Sequence, residues 1–528
     1  MITKATNFFT AIARWMDGSL FFRGLLAIFN FFKKLCMGSF IARAFIAEPE
    51  PLEESMHRSI FVVAINKLLN GVPKIIKPPS QWNAGLSRVL SGSWVVRSTC
   101  DNLETPIPPP GKSGGLATDV KVFFQWCLFA IPVWGMAAVL FAAPFLPTMM
   151  LAAMMLPILF FTYLSRKFVI DSNLIFLLIF IVVSVIVAFM SLAQRSSLEI
   201  VMLTSVFMLS VPVIVACCTT KRSVDLFIKI FAVSAGFTGL IGFYQFVAGY
   251  EGNVWMDQEA FGHVDRVSST FGNPNVYGTY LLLAIPIAAA GIVYFKGFFN
   301  KFCAIGITGL LLGNLALTYS RGCYLSLALA VVIFVLIMEK RLVVLFVPAV
   351  LALPFMLPST VLDRILSIVD MSDTSTAFRL NIWRGSLRIL QDFWISGVGQ
   401  GIYAYNTVYP FYSLAAIYSP HSHSLYIQYL VELGIGGFLV FIVMLGCFFR
   451  TMVSFLRHCT DFKQRVMAAA MVAATLGFLF QGVTDFVFYN YRVFLAFYLF
   501  LGICIAFAKV NKPKKAIAKS EVVSGYHD

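Results

Sequence analysis

The chain has 528 residues, 59% of them hydrophobic and 12% charged, with a mean hydropathy of +0.83. A soluble domain has too little interior to hide that much apolar surface, so the composition excludes one and implies a chain that crosses a membrane many times. The net charge of +15 does not indicate nucleic acid, because the basic residues are dispersed in short loops between apolar stretches.

Residues 1–120 carry apolar runs such as SLFFRGLLAIFNFFKKLC, interrupted by Arg14, Arg23, Lys33 and Lys34. A bilayer needs about 20 consecutive apolar residues, and these runs are shorter. They read as amphipathic helices on the cytoplasmic leaflet, held to membrane lipid by their basic residues. A signal peptide over 19–46 is the competing reading, but basic and apolar residues keep alternating beyond it. PIPPPGKSGG (106–115) is a linker, so the expected domains are 1–120, a membrane domain over 121–508 and a basic tail over 509–528.

The membrane domain reads as an all-α polytopic bundle of about twelve spans. They fall at 123–142, 147–165, 173–192, 199–219, 225–248, 275–295, 302–319, 321–338, 342–358, 425–449, 466–486 and 491–508. Lysines and arginines cluster in alternate loops, at Arg166–Lys167, Lys221–Arg222, Lys296, Lys301, Lys340–Arg341 and Arg450 to Arg465. Positive charge stays inside, so these loops and both termini are expected to be cytoplasmic. The long loop 359–424 then lies outside.

The external cations are Arg195, Arg266, Arg321, Arg364, Arg379, Arg384, Arg388 and Arg492, with no lysine among them. Positive-inside sorting explains few cations, but not an exclusive choice of arginine. The planar guanidinium fork binds phosphate or carboxylate bidentately, so the set points to a phosphate-bearing lipid or an anionic saccharide. Helix capping, or pairing with Asp363, Asp392 or Asp485, is the competing account of some of them. Arg321 sits between two apolar spans with almost no loop to hydrate it, a costly placement for a residue without a function.

SPHSHSLYIQYLVELGIGG (419–437) puts His421 and His423 at the mouth of a span. A metal site made from the pair lacks a third ligand nearby in sequence, so no metal is expected there. A histidine at neutral pH is a ready proton acceptor. Glu432, inside the span, is expected to pair with an arginine, since buried carboxylates are paired or functional. Asp485 and Arg492 bracket the last external turn and either pair with each other or line a site. GVGQG (397–401) does not open a helix in a βαβ unit, so its glycines read as turn formers.

Four segments on this face, RVSSTFGNPNVYGTYLLLAIP (266–286), TYSRGCYLSLALA (318–330), FRLNIWRGSLRILQDFWISGVGQGIYAY (378–405) and HSLYIQYLVELGIGG (423–437), resemble in this order the O-antigen ligase and polymerase family. The resemblance covers roughly 170–508 and implies a GT-C-like helical membrane glycosyltransferase of the bacterial inner membrane. It implies a glycan donor on undecaprenyl diphosphate and an acceptor that is a glycan, a lipid core or a protein. The family's NPN segment corresponds to Asn273-Pro274-Asn275, its SRG segment to Ser320-Arg321-Gly322, and its Arg–Trp segment to Arg379 and Trp383. Its His-Asn falls on His423-Ser424, so Ser424 departs from the pattern. On this resemblance His423, Arg321 and Arg379 are the expected catalytic residues. Arg266, Arg384, Arg492, His421, Asp485 and Trp383 are the expected substrate contacts, with His421 either orienting His423 or passive. No cofactor is implied. A flippase is the competing function; it would need charges deep in both halves of the bundle.

Overall fold

The computed structural model describes residues 50–83, 88, 91–103, 110–111, 116–249, 266–339, 374–414 and 417–512. The expected ninth span (342–358), Arg364, His263, most of the N-terminal amphipathic segment and the end of the basic tail lie outside the described residues.

Apart from one parallel bridge, β1 (Trp82–Asn83) with β2 (Pro110–Gly111), the described regular structure is helical. Three short helices precede the bundle: α1 (Glu50–His57), α2 (Ile60–Asn70) and α3 (Trp94–Leu103). The bundle comprises α4 (Leu116–Ala142), α5 (Thr148–Ser165), α6 (Ser172–Met190), α7 (Gln194–Met208), α8 (Ser210–Cys217), α9 (Lys221–Ala248), α10 (Pro274–Tyr294), α11 (Phe298–Leu317) and α12 (Arg321–Glu339). After the undescribed stretch come α13 (Thr374–Phe393), α14 (Ile402–Val408), α15 (Leu425–His458), α16 (Phe462–Thr484) and α17 (Tyr491–Val510). With α7 and α8 counted together, eleven helices among the described residues are long and apolar enough to span a membrane.

Three spans form the centre. In their most apolar windows 78% of α10, 83% of α16 and 89% of α17 is buried, against 22% of α11 and 17% of α12. The central helices are rich in small residues where they meet, as in AAAMVAA of α16, which lets backbones approach without a hydrophobic driving force. Gly322 at the head of α12 makes a similar approach: a Cβ there would lie 2.5 Å from Gln481 Oε1 on α16.

The two ends of the bundle differ in chemistry. At one end Lys509 pairs with Asp171 at 2.5 Å, and Arg166 covers the Phe129 ring. The end of α2 docks here: the Asn70 amide donates to Phe168 O and accepts from Phe168 N, both at 2.9 Å. The opposite end gathers the heads of α10, α12, α15 and α17 with the described part of the loop before α15.

The structure differs from the sequence reading within α15. That helix is continuous in outline but breaks at Gly434, whose φ of 64° and ψ of −178° are not helical. Glu432 therefore sits beside a break, where backbone groups are free to bond other segments, rather than in a regular helix.

Candidate functional site

Arg266, Arg321 and Arg379 line one pocket of about 120 Å³, together with Asn275, Tyr319, Ser320, Gly322, Gln481 and Thr484. The three arginines come from three separate segments. Arg266 precedes α10 and is held by two hydrogen bonds, from Nε to Thr318 O at 2.8 Å and from Nη2 to Asn275 Oδ1 at 3.0 Å. The NPN sequence now has a physical account. Asn273 caps α10 by accepting from Asn275 N, Pro274 supplies the fixed φ of a first helical turn, and Asn275 steers Arg266. Burial pulls the Arg266 guanidinium below its ordinary pKa, and the neighbouring Arg379 and Arg321 push the same way. Three guanidinium groups in one small pocket repel one another, an arrangement that an anion relieves.

Arg321 is the first residue of α12, two positions after Tyr319, which takes a left-handed φ of 47°. That turn places Arg321 at the pocket instead of along the bundle surface. Arg379 and Trp383 lie one turn apart on α13 and so share a face. Trp383 Nε1 donates to His423 O at 3.4 Å.

His423 is next to this pocket. Its Nδ1 lies 3.8 Å from Asp485 Oδ1, an ion-pair distance, and Asp485 follows Thr484 of the pocket wall. Asp485 is buried, which alone would raise its pKa. The His423 ring and the Arg379 guanidinium outweigh burial and hold the carboxyl below the usual carboxylate range. A hydrogen bond from Phe486 N to Asp485 Oδ1 at 2.9 Å fixes the carboxylate. His423 takes a left-handed φ of 52°, rare for a residue with a side chain. Its N–H donates to Nδ1 of His421 at 3.2 Å.

His421 is buried and stacked on Tyr489, with ring centroids 4.9 Å apart and planes 18° apart. Burial pushes its pKa down to about 3, with the adjacent His423 acting in the same direction. It is therefore a neutral imidazole whose Nδ1 is already spent as an acceptor. Tyr489 in turn accepts from Asn273 Nδ2 at 3.2 Å, which ties the histidine turn to the α10 cap.

GVGQG braces the break in α15. Gly397, Gly399 and Gly401 all have left-handed φ, of 63°, 99° and 105°. Val398 N donates to Val431 O and Gly399 N to Glu432 O, both at 3.0 Å, while Ile435 N donates to Trp394 O at 2.8 Å. The loop thus satisfies backbone groups that the helix gives up at Gly434. Among the described residues no arginine pairs with Glu432, contrary to the expectation from sequence. Its Oε1 accepts from Gln428 Nε2 at 2.9 Å and from Gly401 N at 3.1 Å.

The other expected residues lie elsewhere. Arg384 is exposed, as is Arg388. At about 100° per residue they lie roughly 140° and 180° round α13 from Arg379, so they cannot share its face. Arg492 donates to Pro144 O at 3.3 Å and sits over Phe271, away from the pocket. Asp485 meets His423 and not Arg492. Ser424 is the N-cap of α15, yet its side chain makes no capping bond. Gln428 reaches back instead, accepting from Ser422 N at 2.7 Å. Asn275, Gln428 and Tyr489 were missed in the sequence. Only Asn275, inside the NPN segment, carried a signal there.

A family model described as O-antigen ligase matches residues 306–442. The matched stretch contains Arg321, Arg379, Trp383, Arg384, His421, His423 and Glu432, while Arg266, Asp485 and Arg492 lie outside it. No curated protein matches the chain.

Proposed function

We propose that the chain, which an O-antigen ligase family model matches over residues 306–442, is a membrane glycosyltransferase with a division of labour among its residues. The donor is a glycan on undecaprenyl diphosphate, presented at the external face of the bacterial inner membrane. Arg266, Arg321 and Arg379 bind its diphosphate. His423 accepts the proton of an acceptor hydroxyl as that oxygen attacks the anomeric carbon. The bond from that carbon to the diphosphate oxygen breaks, and undecaprenyl diphosphate leaves with its charge held by the arginines. The arginines supply the electrostatic stabilisation that this leaving group needs, without a metal. Asp485 orients the imidazole and stabilises the imidazolium formed by proton transfer.

The observation that carries this reading is the convergence of three arginines from three segments on one pocket, beside a histidine with its own carboxylate. Crowding of these groups at one end of the bundle favours transfer over flipping, which needs charged groups along a path. The test is transfer by purified His423→Ala protein and by Arg321→Ala protein. Loss of at least about 100-fold is expected for each, with insertion and folding retained. Full transfer by both variants would sink the proposal. Glycan analysis of cells lacking the protein assigns the acceptor: shortened chains indicate polymerisation, and intact but unattached chains indicate ligation.

A further inference from the structure

A second cavity lies on the far side of the histidine turn. Tyr489 and Phe486, which His421 contacts with its ring, also line it, together with Tyr429, Tyr491, Gln400 and Glu432. The cavity is therefore separated from the His421–His423 turn by about the thickness of one aromatic ring. It measures about 30 Å³, room for roughly two water-sized groups. That is the size of the hydroxyl edge of a sugar ring, with the rest of the ring outside.

Its chemistry is specific. Gln400 is 5% exposed, and its Oε1 is buried without a hydrogen-bond partner. A buried amide oxygen left unsatisfied is costly, and it is relieved by a donor. Glu432 spends Oε1 on Gln428 and Gly401, which leaves Oε2 as its remaining acceptor. Gln400 Oε1 is thus an unsatisfied acceptor that calls for a donor, set among tyrosine and phenylalanine rings. Hydroxyl donors on an apolar ring face are what a saccharide offers. An isoprenoid chain would leave Gln400 Oε1 unsatisfied, and so would an ionised phosphate oxygen, which brings it a second acceptor.

We propose that this cavity is a saccharide subsite, in which two adjacent sugar hydroxyls donate to Gln400 Oε1 and Glu432 while the ring rests against Tyr489 and Tyr491. The proposal rests on the transferase reading for its biological role, but not for its test. The same chemistry is met by a sugar of the acceptor or of the donor glycan.

The test uses full-length protein in nanodiscs and saturation-transfer NMR with methyl glucoside and methyl N-acetylglucosaminide. Wild type is expected to give a sugar signal. Gln400→Leu, which keeps the volume but removes the acceptor, and Tyr491→Ala are each expected to weaken sugar binding about tenfold, with undecaprenyl diphosphate binding unchanged. Signal as strong in both variants as in wild type overturns the proposal, as does a wild-type protein that gives none. Saturating the protein with glycan-loaded undecaprenyl diphosphate identifies the source: persistence of the signal assigns the subsite to the acceptor, and its loss to the donor's own sugar. Sugar binding without any transfer leaves the subsite intact and counts against the transferase reading alone.

Discussion

His423 Nδ1 lies 3.8 Å from Asp485 Oδ1, across the junction between the head of α15 and the end of α16. The two residues are 62 positions apart and are joined only by the packing of those two spans. Nδ1 is the ring nitrogen turned toward Asp485, which in the proposed mechanism leaves Nε2 for the acceptor hydroxyl. Asp485→Asn keeps the shape but removes the charge that favours imidazolium. Its kcat is expected to drop by about 10²–10⁴, with little change in the KM for the lipid-linked donor. Steady-state kinetics check this; a change confined to KM would remove Asp485 from the proton-transfer step.

Arg321 and Arg379 reach the pocket from different helices, so each offers its fork from a different direction. Lysine preserves the charge but not the planar pair of donors. Arg321→Lys and Arg379→Lys are each expected to raise the donor KM by about tenfold or more. Arg384→Lys, on the exposed face of α13, is expected to leave it unchanged. Titration with donor distinguishes the three, and equal effects at all three positions would show that overall charge alone matters.

His421 gives the fold a pH dependence with a defined sign. Its pKa is about 3 in the folded protein, against the ordinary value of about 6.5 in the unfolded chain. Between these values the unfolded state binds the proton and the folded state does not, so stability rises with pH across that window. The contribution is full above about 6.5 and is lost as pH falls toward 3, by up to about 1.4 kcal/mol per unit. Thermal unfolding in detergent at pH 7 and pH 5 is expected to show a steeper acid loss for wild type than for His421→Gln, which keeps an acceptor but does not titrate. Parallel slopes for the two proteins would contradict a neutral buried imidazole.

Gly434 allows the break that receives the GVGQG loop. A Cβ at this position would lie 2.3 Å from Ile395 O, and its φ of 64° already disfavours a side chain. Gly434→Ala is expected to destabilise the protein by about 1–3 kcal/mol, and more if the loop is displaced. It should also expose the 397–401 segment to limited proteolysis, which reads the loop directly. Gly436→Ala, two residues on, meets nothing within 4 Å and serves as the control.

Much of the site was legible in the sequence. Among the arginines of the loops expected outside, Arg266, Arg321 and Arg379 were the leading candidates, and these three line one pocket. Arg384 and Arg492 carried the same signal and went elsewhere, since composition identifies a guanidinium but not the direction in which its helix points it. His423 was marked by its place at the head of an apolar span, whereas the partnership with Asp485 had no signal at all.

Hydrophobic length and the placement of basic residues fixed the helical class, the span positions and the expected sidedness, because a bilayer demands internally bonded apolar helices and tolerates little else. What only the tertiary structure decided were the contacts between segments far apart in the chain. These are the pairing of His423 with Asp485, the burial that keeps His421 neutral, and the seating of GVGQG against the broken α15 with Glu432 bonded to Gly401. Each depends on which helices pack side by side and on how a backbone break is satisfied. Neither is encoded in the periodicity of any single segment.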